Sequence, residues 1–183
     1  VAVRLSLRLL GGFELRGIPS GHKVALPGKR ERALLAYLAL SPEGRQPRRK
    51  LAALLWGDAT DETLLDNLRT CVWRLRKSLE DADHRLLASD EEDIVLDVAH
   101  FDIDVLAFRD LAHSACQENL EKAAALCRGD FLDGLDLNSE EFESWRRMET
   151  SRHLDQAVDT LSRLMRLLME SRQSERAIDI GTQ

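Results

Sequence analysis

The first pattern along the chain has a period of two. Val3-Arg4-Leu5-Ser6-Leu7-Arg8-Leu9 alternates apolar and polar residues, as a half-buried strand does. Gly11-Gly12 turns the chain and Phe13-Glu14-Leu15 returns it. After a second turn, from Gly17 to Gly21, the run Lys23-Val24-Ala25-Leu26 predicts a third short strand in a small antiparallel sheet. The period then becomes helical. Residues 29–40 put Leu34, Leu35 and Leu38 on one face and stop at the breaker Ser41-Pro42-Glu43-Gly44. Residues 48–56 turn Leu51, Leu54 and Leu55 inward and stop at Gly57, a natural C-cap. A third helix is predicted over 62–79. At about 100° per residue, Leu64, Leu68, Val72, Leu75 and Leu79 fall in one narrow stripe, flanked by Leu65 and Cys71.

Beyond residue 80, Arg85–Ser89 and Ile94–Val98 flank Asp90-Glu91-Glu92-Asp93 and read as a hairpin. From Asp104 the pattern is helical. Helices are expected over 104–116 and 118–128, with a loop through Gly129 and Gly134. A long helix then starts at Asn138, where Asn138 and Glu141 fit a capping box. Leu154, Val158, Leu161, Met165 and Leu168 share one of its faces. Ser171 to Ser174 predicts a break, and a last helix from Glu175 is cut short by the chain end.

Composition narrows the class. The 183 residues suffice for one large or two small domains, and 44% hydrophobic with 32% charged residues describes a folded, water-soluble chain. The longest apolar and small-residue run, Ala33 to Leu40, is far short of the roughly 20 residues that cross a bilayer, and no signal sequence opens the chain. Cys71, Cys116 and Cys127 form no CxxC pair. Neither a disulfide framework nor a zinc site is expected, which fits the cytoplasm. The net charge of -6 is unevenly spread: between Lys23 and Lys77 stand twelve basic and six acidic residues, while residues 101–183 hold ten basic and seventeen acidic ones. A local basic segment is what phosphate attraction requires, since screening confines that attraction to about 10 Å.

The third predicted helix sits in that basic segment. Opposite its apolar stripe lie Asp66, Thr70, Trp73, Arg74 and Lys77, with Asn67 and Arg69 at the margins. Asn pairs with adenine, Arg and Lys pair with guanine, and the same cations hold phosphates, so such a face suits a major groove. A solvated basic face on an ordinary amphipathic helix would have the same pattern. Arg48, Arg49 and Lys50 open the preceding helix, where free N–H groups also favour a phosphate. Other groupings say less. The five histidines are scattered, and His100, Asp102 and Asp104 lack the company of a metal site; no metal and no cofactor are expected. Gly11-Gly12 has no phosphate-loop lysine after it, Cys71 belongs with the packing, and Trp145 reads as core. No nucleophile, base and acid set stands out, so an enzyme is not expected.

Sheet, three helices and a terminal hairpin is the layout of a winged helix-turn-helix. Four segments, Leu9-Leu10-Gly11-Gly12-Phe13-Glu14-Leu15, Arg32 to Leu40, Leu51 to Trp56, and Asn67 to Leu79, also resemble the SARP family of bacterial regulators. Farther on, Arg128-Gly129-Asp130-Phe131-Leu132-Asp133-Gly134 and Trp145-Arg146-Arg147-Met148-Glu149 resemble the bacterial transcriptional activator domain. The resemblance implies an OmpR-type winged helix over residues 1–98 and an all-α, tetratricopeptide-like domain over 99–183. It implies DNA contacts from Arg48, Arg49, Lys50, Asn67, Arg69, Thr70, Trp73, Arg74 and Lys77. Asp58, Thr60 and Asp61 would stand in the loop that touches RNA polymerase. The expected function is that of a sequence-specific, double-stranded DNA-binding activator, dimeric or bound in tandem. The rival is a protein-interaction module whose winged helix no longer binds DNA. Pro47 stands where the family favours a serine cap, and the four acids of the hairpin tip run against phosphate binding. Either that tip points away from DNA, or binding leans on the third helix.

Overall fold

The computed structural model describes residues 4–57, 61–80 and 86–181, the side chains of 61, 62 and 171–181 excepted. Strand β1 (Arg4–Arg8) pairs antiparallel with β2 (Glu14–Ile18), Leu7 opposite Leu15. The alternation seen in the sequence is the burial pattern: Leu5 and Leu7 are fully buried while Arg4 is exposed. The third strand expected over Lys23–Leu26 is reduced to one bridge, Arg16 to Lys23, because the chain turns away to deliver Leu26 to the core.

Helices α1 (Lys29–Ala39), α2 (Arg48–Trp56) and α3 (Asp61–Leu79) follow. Gly57 ends α2 at φ 55°, its N–H bonded to the Ala53 carbonyl, a conformation that few other residues adopt cheaply. Between α1 and α2 lies β3 (Arg45–Pro47), and after α3 come β4 (Leu87–Ser89) and β5 (Asp93–Leu96). These three form an antiparallel sheet in the order β3-β5-β4. Gly44, at φ 66°, lets the chain pass so close to β5 that an added Cβ would stand 2.2 Å from the Leu96 carbonyl oxygen. Helices followed by a hairpin wing make the expected winged helix-turn-helix.

The remaining chain is mainly helical, with one addition. Strand β6 (Phe101–Ile103) lies parallel to β1, Leu5 opposite Phe101 and Leu7 opposite Ile103, so the first sheet is mixed, ordered β2-β1-β6. Helices α4 (Asp104–Ala112), α5 (Gln117–Leu126) and α6 (Glu140–Gly181) complete the fold. The break expected at Ser171–Ser174 does not occur. Neither a proline nor a glycine stands there, and α6 runs on through it. Nor does the Asn138–Glu141 capping box form. Glu143 accepts the Leu137 N–H at 2.9 Å, and the Ser139 hydroxyl donates to the Leu54 carbonyl at 2.7 Å, fastening the start of α6 to α2.

One continuous core runs from Leu5 to Ala157. Trp145 joins it as expected, edge-on to Tyr37 of α1 at 4.9 Å and to Phe131 at 5.5 Å. The Asp104 carboxylate, at the start of α4, accepts the N–H groups of Leu9 (2.9 Å) and Leu10 (3.1 Å) beyond the end of β1, and its own helix's Val105 N–H (2.8 Å). Burial raises its pKa above the usual carboxylate value, against the opposing pull of those three bonds. Across the helical end, Arg109 pairs with Glu149 at 2.5 Å, and Arg163 donates to the Ala112 and Ser114 carbonyls, capping the C-terminus of α4.

Candidate nucleic-acid interface

The site is built around α3. Its stripe Leu64, Leu68, Val72, Leu75 and Leu79 is buried together with Cys71, which fixes the opposite side toward solvent. Burial pushes the Cys71 thiol up to about 12, with the Glu31 charge adding to the effect, so it stays a neutral packing group. On the outer side Arg69, Thr70, Trp73, Arg74 and Lys77 are exposed and Asn67 is half-buried. The sequence-predicted set on α3 is therefore brought together on one face.

All of these groups except Asn67 are tied to a neighbour. Arg69 pairs with Asp66 at 3.1 Å, and the Thr70 hydroxyl donates to the Asp66 carbonyl at 3.1 Å. The Lys77 ammonium lies 5.2 Å from the centre of the Trp73 ring. Arg74 reaches across to Glu31 of α1 at 3.8 Å. Glu31 is only 3% exposed and was not evident in the sequence, where it is a lone acid in the first turn of a helix. An open cleft of about 480 Å³ lies here, lined by Arg30, Glu31, Trp56, Asn67, Arg74 and, from the loop before α6, Asp136. Arg30 stacks over Trp56 on its wall at 5.2 Å.

The N-terminus of α2 behaves differently from the simple expectation of three phosphate-binding cations. The Arg48 N–H donates to the Glu92 carbonyl at 2.8 Å, and its guanidinium donates to the Ser89 hydroxyl (2.6 Å) and the Asp90 carbonyl (3.2 Å). Arg48 thus ties the wing to α2. Lys50 sits 5.9 Å from the centre of the Tyr37 ring, and Arg49 stays exposed. Pro47 precedes the helix with extended backbone and no side-chain cap. The four acids of the wing fall into two pairs. Asp90 accepts the N–H groups of Glu92 (2.9 Å) and Asp93 (2.7 Å), which hold its carboxyl below the usual value. Asp93 pairs with Arg45 at 2.7 Å. Those two acids build the turn, leaving Glu91 and Glu92 exposed on the rim of a cleft of about 730 Å³ that also contains Arg49 and Arg69. The wing tip faces the basic side chains rather than pointing away from them. Behind it, Arg76 of α3 donates to the Leu87 carbonyl at 3.2 Å and keeps the wing registered on α3.

Of the expected polymerase-contact loop, Asp58 and Thr60 lie outside the described residues, as does the side chain of Asp61, whose backbone begins α3. Among the described residues no helix is long and apolar enough to cross a membrane.

Comparison with known proteins identifies the segment carrying this face. Residues 21–91 match the family model described as "Transcriptional regulatory protein, C terminal", the winged helix-turn-helix of OmpR and PhoB. The segment is a DNA-binding winged-helix domain of that regulator family, which is not a family of enzymes. Among solved structures, the chain is similar to EmbR of Mycobacterium tuberculosis, determined in complex with a low-affinity phosphopeptide. The two are 22% identical with a TM-score of 0.71, and the match covers 86% of this chain and 44% of that one. The chain therefore spans less than half the length of that protein and shares its fold. No curated protein matches the chain.

Proposed function

We propose that this chain is the DNA-binding portion of a SARP-type transcription activator that reads double-stranded promoter DNA with α3. The observation that carries the proposal is the outer face of α3, where Asn67, Arg69, Thr70, Trp73, Arg74 and Lys77 stand together, opposite a buried leucine stripe. Arg49 supplies a phosphate contact from the start of α2, and Arg48 and Lys50 contribute mainly by setting the frame. The division into a DNA-binding part (1–98) and a helical part (99–183) is a division of labour rather than of cores, since β6 and Asp104 tie the second to the first. The helical part acts as a tetratricopeptide-like protein-binding unit, a reading supported by three successive helices, α4 packed on α5 and α5 on α6, and by its excess of acids. RNA polymerase is contacted through the stretch that leads from α2 into α3, with Asp58, Thr60 and Asp61, and two copies occupy paired sites.

Charge reversal on α3 tests this. Arg69→Glu and Lys77→Glu remove exposed cations without touching the core, so folding should survive and DNA affinity should fall. Each lost phosphate contact should lower the salt slope by about one unit. Arg74 is better replaced by Gln, because Arg74→Glu would set a second carboxylate against buried Glu31. Unchanged affinity in the Arg69 and Lys77 variants would refute the role given to this face.

A further inference from the structure

The polar face of α3 contains one group that neither hydrogen bonding nor phosphate attraction explains. Trp73 is 58% exposed in the middle of that face, one turn from Arg69 and Thr70 on one side and from Lys77 on the other. The other exposed large hydrophobic residue described before residue 98, Ile18, lies on β2, away from α3. A single exposed apolar side chain is ordinary on a protein surface. Here the position matters: the ring stands where a major groove would lie, and Lys77, over its face at 5.2 Å, restricts its freedom. The major groove offers one apolar feature, the C5 methyl group of thymine, and apolar side chains on recognition helices contact it.

We propose that Trp73 is a specificity-determining residue that reads the thymine methyl, selecting T·A pairs at one or two operator positions by apolar contact. The proposal rests on the DNA-binding reading above and specifies how the same face discriminates. Arg69, Arg74 and Lys77 supply attraction and guanine contacts, while Trp73 supplies preference for a methyl-bearing pyrimidine.

The test begins by selecting preferred duplexes from a random library with the whole 183-residue chain. Each thymine of the selected site is then replaced singly by uracil, which removes only the methyl group. Uracil at one or two positions should weaken binding about three- to fivefold, the factor that burying one methyl supplies. In Trp73→Ala the same replacements should make no difference, and in Trp73→Phe part of the penalty should remain. Because the ring is exposed, both variants should keep the wild-type circular dichroism and melting transition. A wild type indifferent to uracil at every position, or a penalty that persists in Trp73→Ala, would overturn the proposal while leaving DNA binding intact. Failure to select any sequence would overturn the DNA-binding reading, and this inference with it.

Discussion

Asp104→Ala removes the acceptor that fastens the end of the first sheet to the helical part. Leu9 and Leu10 are 0% and 3% exposed, and among the described hydrogen bonds their N–H groups have only this carboxylate as partner. A buried donor left unsatisfied costs about 1–3 kcal/mol, so two cost about 2–6 kcal/mol. The Val105 N–H, at a helix start, is more readily satisfied by water. Against this stands the cost of burying the carboxylate itself, visible as its raised pKa. The net loss should therefore lie near the lower end, about 2–3 kcal/mol, and Asp104→Asn, which keeps one acceptor oxygen, should lose about half as much. The pH dependence has a definite sign. A carboxyl whose folded pKa is raised favours the fold most when protonated, so the advantage of wild type over Asp104→Asn should shrink as pH rises through that folded value. Urea unfolding of the three proteins at several pH values measures both effects. A loss below about 0.5 kcal/mol for Asp104→Ala, within the range of an ordinary surface substitution, would refute the claim that this carboxylate joins the two parts.

Further expectations concern the wing, a buried histidine and the proposed pairing of copies on DNA. Glu91→Gln with Glu92→Gln should tighten non-specific DNA binding at low salt, because these free acids share a cleft with Arg49 and Arg69; Asp90→Asn should instead loosen the wing, measured as faster amide exchange at Glu92 and Asp93. His153 is buried edge-on to Phe108 at 4.6 Å, with Arg109 of α4 nearby and Glu149 one turn back on α6, and burial lowers its pKa. Stability should therefore be fully present above its ordinary value of 6.5 and be lost as pH falls through its folded value, a slope that His153→Leu should flatten in urea titrations. The chain should bind duplexes with two half-sites about 10–10.5 base pairs apart more tightly than single sites. Equal affinity for both, with a monomer by light scattering at all concentrations, would remove dimerisation from the account.

What the sequence made legible was local. The bounds of α2 and α3 follow from leucine spacing and from Gly57, and the outer face of α3 follows from the same periodicity, because a stripe buried on one side leaves no choice about the other. What it hid depends on partners distant along the chain. Nothing in Phe101-Asp102-Ile103 announces pairing with β1, about a hundred residues earlier, since three residues cannot display a period and register is set by packing. Arg48 looked like Arg49 in the sequence, yet one is consumed by the wing and the other is exposed. The wing acids looked alike too, until Asp90 and Asp93 were seen bonding within their own turn. The serines near residue 171 proved too weak a signal to stop a helix, because serine costs a helix only a few tenths of a kcal/mol more than its neighbours do.

The central claim is that the α3 face reads DNA sequence, and a salt titration of affinity for two duplexes tests it most directly. One duplex carries the site selected by the protein and the other the same bases scrambled. The account predicts binding to both that weakens steeply with salt, and a preference for the selected site of roughly a thousandfold or more at physiological salt. Equal affinity for the two duplexes, or binding that ignores salt, would contradict it.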